Sequence, residues 1–353
     1  MTASRKIMDR IAASVWTRDG MRGWVTPFLV LLLAVGAAAQ EKAAKPKPAA
    51  GSIAYLWHDP GAVERVDFAA PAGAPRTRPT PPFRFVSEAS GGTSPKVVVR
   101  DGNGVEWRVK GGPELKSESF ATRLVSAVGY YTDAVTYVKS GKIIGIGTLK
   151  RNVGFIRPDG SFSEVSFERR DPLAKHLHDQ SWAWNQNPFN GTTQLRGLKV
   201  LVMLLSNWDN KDERDRQRLD TNMAIIERRA GHSMQRVYFV GDWGQTLGAW
   251  GTKLEAKGWD CPAFSRQTPL FVQGIDGNRV RFGFEGLHMD DFKSDITIGD
   301  VRWLLGYLGR VTDTQLRVGL RASGANPAEA ECYAKALRQR IDQLRRVANG
   351  ARP

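Results

Sequence analysis

Three short stretches carry residues whose types could move a phosphoryl group. Lys110 ends the run Val105-Glu-Trp-Arg-Val-Lys110, Asp209 lies in Asn207-Trp-Asp-Asn-Lys211, and Asp242 opens Asp242-Trp-Gly244. An ammonium neutralises phosphate oxygens, one carboxylate orients an attacking hydroxyl, and a second holds the divalent ion that bridges the phosphates. Lys211, two residues after Asp209, supplies a further cation for the group in transfer. Each stretch is weak alone; their order along the chain makes the signal.

Four other features bear on the same chemistry. The loop Gly91-Gly92-Thr93-Ser94-Pro95-Lys96 lets backbone N–H groups approach phosphate without a Cβ in the way, and Lys96 adds charge, although a glycine turn between strands is equally a structural device. Glu118 stands in the first turn of the helix after Lys110, where it favours the positive helix end and can also hold the Lys110 ammonium; Glu114 competes for that role. Loops of the Asp209 type place a metal-binding asparagine five residues on, where this chain has Arg214. The charged stretch 212–220 reads as an insertion, so the metal role moves to Asn222, beside Asp242.

The elements that must position these groups follow from patterning. Runs 96–100 and 105–110 around Asp101-Gly-Asn-Gly104 predict a hairpin. Apolar positions 120, 121, 124, 125 and 128 mark one face of a helix stopped by Gly129. Thr192 or Thr193 caps a helix over 194–206, apolar enough to be a core element that delivers Asp209 at its end. Strands are expected at 222–226 and 237–240, with Gly231 turning the chain between them. The Trp-, Asn- and Pro-rich segment 171–191 suits a crossover lining an adenine pocket, or plain aromatic loop packing. Beyond 248 the pattern is helical: 297–308, 312–320 and 327–347. His176, His178, His232 and His288 have no partner at metal-ligand spacing, and Asp290-Asp291 reads as a solvated turn.

Composition sets outer limits. With 353 residues and 41% apolar content the chain is not disordered as a whole. Its net charge of +15 is spread without a run of five basic residues, which describes a solvated basic surface and no specific nucleic-acid arm. Nucleic acid, anionic lipid or a polyanionic envelope polymer could meet it only through field steering. The apolar run 24–39, flanked by Arg18 and Arg22, falls short of the roughly 20 residues that span a bilayer and ends in small residues. It reads as a secretory signal, with translation from Met1 or Met21, cleavage after Ala39 and an uncleaved anchor as the alternative membrane link. Export to the periplasm or beyond leaves Cys261 and Cys332 able to pair, or to remain two buried thiols. The expected organisation is signal 1–39, Pro- and Ala-rich linker with a short strand 40–82, strand-rich lobe 83–170 and mostly helical lobe 171–349, an α+β chain.

Taken in order, these motifs resemble the protein-kinase-like fold in its atypical branches. Gly92-Thr-Ser-Pro-Lys96 before a hairpin ending in Val109-Lys110 is similar to HipA-type and phosphatidylinositol kinases. Asn207-x-Asp209 is similar to HipA-type loops, and Asp242-Trp-Gly244 corresponds to the Asp-Phe-Gly element; exported relatives of the fold exist among secretory-pathway kinases. The chain is also similar to exported bacterial proteins of acidobacterial type, which implies no activity. Over residues 83–250 the kinase resemblance implies a two-lobed fold, ATP and Mg as cofactors, and a hydroxyl acceptor whose nature the motifs do not specify. It places Gly91, Gly92, Thr93, Ser94, Lys96 and Lys110 on the nucleotide, Glu118 behind Lys110, Asp209 and Lys211 in catalysis, and Asp242 with Asn222 on metal. Two other classes stay open: a pseudokinase that only binds, and a basic envelope protein that holds an anionic polymer.

Overall fold

A computed structural model describes residues 52–73, 78–89, 95–151, 154–169, 173–177, 180–209, 222–231, 233–251, 257–286 and 292–350. Segment 1–39, expected as a secretory signal, and the loop Gly91 to Ser94, Lys211, Arg214, His178, His232, His288 and Asp290-Asp291 lie outside them. The described chain is mixed α+β, rich in strands, with six α-helices.

The stretch expected as a linker does more than connect. Strand β1 (Ser52–Tyr55) pairs in parallel with the later strand at 233–240, and Leu56, Val63 and Phe68 behind it are buried. Trp57 Nε1 donates to the Val128 carbonyl, and Gln315 Nε2 donates to the carbonyls of Val63 and Val66, each at 2.9 Å. Residues 52–68 therefore strap the helix that carries Glu118 to the C-terminal helices, because their apolar side chains outweigh the neighbouring Pro and Ala.

Strands β2 (Phe83–Ala89), β3 (Lys96–Arg100), β4 (Glu106–Lys110), β5 (Val135–Ile144) and β6 (Ser161–Arg169) close a barrel in the order β2-β3-β4-β6-β5. Alternation decides what each face carries. Val97, Val99, Trp107, Val109, Val165 and Phe167 fill the interior, which leaves Lys96, Arg108 and Lys110 on the opposite face. The predicted hairpin turn is fixed by Asp101: its Oδ1 accepts from Asn103 and Val105 N–H at 2.9 Å, and its Oδ2 from Trp107 Nε1 at 3.0 Å.

Helix α1 (Leu115–Ala127) buries Phe120, Ala121, Leu124 and Val125 completely. Gly129 ends it with φ +95°, and a Cβ there would lie 2.2 Å from the His58 carbonyl, so glycine is required on both conformational and steric grounds. Helix α2 (Thr193–Leu204) is capped by Thr192, whose Oγ1 accepts from Leu195 N–H at 3.2 Å. Its leucines and valines from 198 to 204 are essentially unexposed, each contributing about 1.5–3 kcal/mol by burial. Strands β7 (Ala174–His176), β8 (Met223–Ala230) and β9 (Ser233–Val240) complete a four-stranded sheet, β1-β9-β8-β7.

The region beyond 248 is not purely helical. Between α3 (Cys261–Gln267) and α4 (Ile298–Leu308) lies a hairpin, β10 (Val272–Asp276) with β11 (Arg279–Phe282), before α5 (Asp313–Ala322) and α6 (Pro327–Ala348). The turn residues are Gly277 at φ +56° and its neighbour Asn278, in strands too short for alternation to stand out. Cys261 and Cys332 form a disulfide joining α3 to α6.

Candidate active site

The barrel face opposite its core meets α1 at a buried ion pair. Lys110 Nζ lies 2.6 Å from Glu118 Oε1, with side chains 15% and 4% exposed. Glu118 thus takes the lysine, while Glu114 turns to accept from Gln245 Nε2 at 2.5 Å. On the same barrel face Arg108 pairs with Glu168 at 2.7 Å. Lys96, the cross-strand partner of Lys110, is pushed down by burial and by the nearby Arg108 and Lys110 charges.

Charge around Lys110 is unbalanced toward acid. Burial opposes its ammonium, but Glu118, Asp242 and Glu168 together hold its pKa above the usual lysine range. Burial, with Asp242 adding to it, pushes Glu118 up to about 7 against the pull of Lys110. Burial likewise raises Glu114, with Asp242 and Asp209 adding to the rise. The carboxyls shift upward chiefly through burial, and Lys110 shifts upward because several acids face it. Glu118 Oε2 is buried without a hydrogen-bond partner among the described residues.

Asp209 and Asp242 reach this cluster from two turns that asparagines clasp together. Asn207 Nδ2 donates to the Asp242 carbonyl at 3.0 Å, and Asn222 Nδ2 donates to the Asp209 carbonyl at 2.5 Å. The Asn222 carbonyl in turn accepts from Gly241 N–H at 2.7 Å. Asp242 Oδ1 accepts from Gly244 N–H at 2.8 Å, and Ser117 Oγ donates to the Gly244 carbonyl at 2.5 Å, so α1 grips the second turn directly. Gly244 is needed here because a Cβ would stand 2.8 Å from Glu114 Oε2.

The end of α2 is held from behind by Arg340 of α6, fully buried. Its guanidinium donates to the Leu204 carbonyl at 2.9 Å, to Ser206 Oγ at 2.8 Å and to the Phe264 carbonyl at 3.0 Å, and lies 3.6 Å from the Phe264 ring centroid. A cation at a helix C-terminus answers its exposed carbonyls and macrodipole. Ser206, next in the chain, adopts φ +56°, which turns the backbone toward Asn207 and Asp209.

Of the residues singled out by sequence, Lys110, Glu118, Asp209, Asn222 and Asp242 are therefore linked by bonds or close charge, with Lys96 beside them. Gly91, Gly92, Thr93, Ser94 and Lys211 are not among the described residues. Among those described, no group of three His, Cys, Asp or Glu side chains is arranged to hold a metal by itself. The sequence reading passed over Gln245, Ser117, the Arg108–Glu168 pair and Arg340. Arg340 sits on an amphipathic helix where one arginine among many carries no distinguishing signal.

No family model matches the chain, and no curated protein matches it. Among solved structures it is similar to a Golgi casein kinase with Mn/ADP bound, at 10% identity and TM-score 0.38, over 77% of this chain and 73% of that one. A second Golgi casein kinase structure is similar at 11% identity and TM-score 0.33, over 75% and 72%. In the protein's own geometry, a strand-rich part bearing Lys110 and α1 precedes a part bearing the Asp209 and Asp242 turns and most of the helices, an α+β organisation.

Proposed function

We propose that the chain is an exported, ATP- and Mg-dependent phosphotransferase that passes a phosphoryl group to a hydroxyl. The observation that carries this reading is the acid-rich cluster around one lysine, where Glu118 keeps an unpaired buried oxygen. A divalent cation would answer that imbalance. Mg ordinarily takes one or two carboxylates with phosphate and water oxygens, so a donor set short of three protein carboxylates fits it. Asp242, with Asn222, would hold the ion, which supplies neutralisation of phosphate charge.

Lys110, oriented by Glu118, binds phosphate oxygens, and Lys96 adds charge on the same face. Asp209 orients the acceptor hydroxyl and takes its proton as the acceptor oxygen bonds to the γ-phosphorus. The bond from that phosphorus to the β–γ bridging oxygen breaks, and ADP leaves. Gly91, Gly92, Thr93, Ser94 and Lys211 complete the nucleotide contacts in this reading. The finer likeness to HipA-type and phosphatidylinositol kinases, and to exported bacterial proteins of acidobacterial type, rests on motifs alone. Export through the 1–39 segment, with anchoring if it stays uncleaved, is supported by the Cys261–Cys332 disulfide. Incubation with γ-labelled ATP, Mg and hydroxyl-bearing acceptors tests the proposal: label should leave ATP with the parent chain and not with Asp209→Ala. Undiminished turnover in that variant removes the assigned role, and Mg-ATP binding without any transfer favours the pseudokinase alternative.

A further inference from the structure

A cavity of about 490 Å³ lies behind the end of α1, and none of the active-site residues lines it. Its walls are the last turn of α1, residues 130–134, Arg169 at the end of β6, strands β7 to β9, and His58 of the N-terminal strap. Ile226 and Phe239 supply an apolar floor.

The charged side chains that line it are unequal, Arg169 and Arg228 against Asp133. Arg228 lies 5.0 Å from the Tyr131 ring centroid and donates from Nε to Gln235 Oε1 at 3.1 Å, while the His58 ring stands 5.0 Å from the same tyrosine. Tyr131 is thus held between a guanidinium and an imidazole. Arg169 Nε is buried with no hydrogen-bond partner among the described residues, an unfavourable arrangement unless an acceptor arrives. Asp133 also lines the cavity, with burial and the nearby Glu168 pushing its carboxyl well up, and the two arginines outnumber it whatever its charge. Burial and Arg228 push His58 down, which keeps it an uncharged donor or acceptor. His176 stands against Phe239.

We infer that this cavity is a binding site for a small phosphate monoester with a ring-sized apolar body, its phosphate on Arg169 and Arg228 and its body against Tyr131 and Phe239. Two guanidiniums match phosphate oxygens with directed N–H pairs, and the volume suits a small metabolite. The inference does not depend on the phosphotransferase reading, since it uses none of that site's residues.

Phenyl phosphate is the probe, titrated calorimetrically into the intact chain without nucleotide or metal. Saturable binding that weakens at least tenfold in Arg169→Gln and in Arg228→Gln, and stays within twofold of parent in Lys110→Met, supports the site. Should Arg169→Gln fail to fold, Arg228→Gln decides, because that residue lies on a strand with its guanidinium already tied to Gln235. Absence of binding, loss in Lys110→Met with retention in Arg228→Gln, or equal binding of benzyl alcohol would each overturn it.

Discussion

Asn207 donates from its side-chain amide to the carbonyl of Asp242 at 3.0 Å, across 35 residues of chain. With the matching bond from Asn222 to Asp209, it makes the two acidic turns one unit. Replacing Asn207 by Ala removes this bond from the half-buried Asp242 carbonyl, at a cost of about 1 kcal/mol. Transfer should fall at least tenfold while ATP affinity changes little, since the carboxylates stay but their relative placement loosens; parallel calorimetry and labelled-ATP assays separate the two effects.

Lys110 and Glu118 should not be equivalent in stability. Lys110→Met strips the acid cluster of its central cation and should cost about 3–5 kcal/mol in urea denaturation. Glu118→Gln should cost less, because Asp242 and Glu168 still face the ammonium. The double variant should lie above the sum of the singles by about 1–3 kcal/mol, as expected of side chains in contact.

Stability without metal should fall as pH rises from about 4.5 to about 7. Glu118 is raised to about 7 in the folded chain, so the folded state binds its proton more tightly than the unfolded state does across that window. The contribution is complete below the unfolded value and is lost as the folded carboxyl ionises, with a total on the order of 1–3 kcal/mol. His58, whose pKa is lowered, contributes with the opposite sign below about 6.5. The difference between parent and Glu118→Gln isolates the carboxyl: that difference should shrink across the window, and saturating Mg-ATP should flatten it.

The disulfide closes 71 residues of chain and by loop entropy contributes about 4 kcal/mol. Reduction, or Cys261→Ser with Cys332→Ser, should lower the denaturation midpoint by a corresponding amount while leaving Mg-ATP affinity within a few-fold, because neither cysteine contacts the acid cluster.

The hairpin before Lys110, α1 and the core helix before Asp209 were legible because each combines clear periodicity with a local stop signal: the Asp101 turn, Gly129 and the Thr192 cap. Glu118 or Glu114 could not be chosen from spacing, since both lie within one helical turn of the lysine's reach; only the docking of α1 on the Gly244 turn sends Glu114 to Gln245. The short strand expected at 53–57 is present as β1, but its docking and the packing of the strap through 68 were obscured by Pro- and Ala-rich flanks, because the strand's partner lies 182 residues later. Arg340 was invisible for a similar reason, as its role depends on α6 crossing the end of α2. The cavity behind α1 draws on five separated segments and has no motif.

The central claim is that Asp242 and Lys110 share one Mg-nucleotide pocket, and calorimetric titration of ATP with and without Mg into the parent chain and Asp242→Asn addresses it most directly. An asparagine keeps the acceptor for Gly244 N–H and removes only the charge. The account predicts Mg-enhanced ATP binding in the parent and at least a tenfold loss of that enhancement in the variant, with the fold intact; equal Mg-ATP affinity in the two proteins would contradict it.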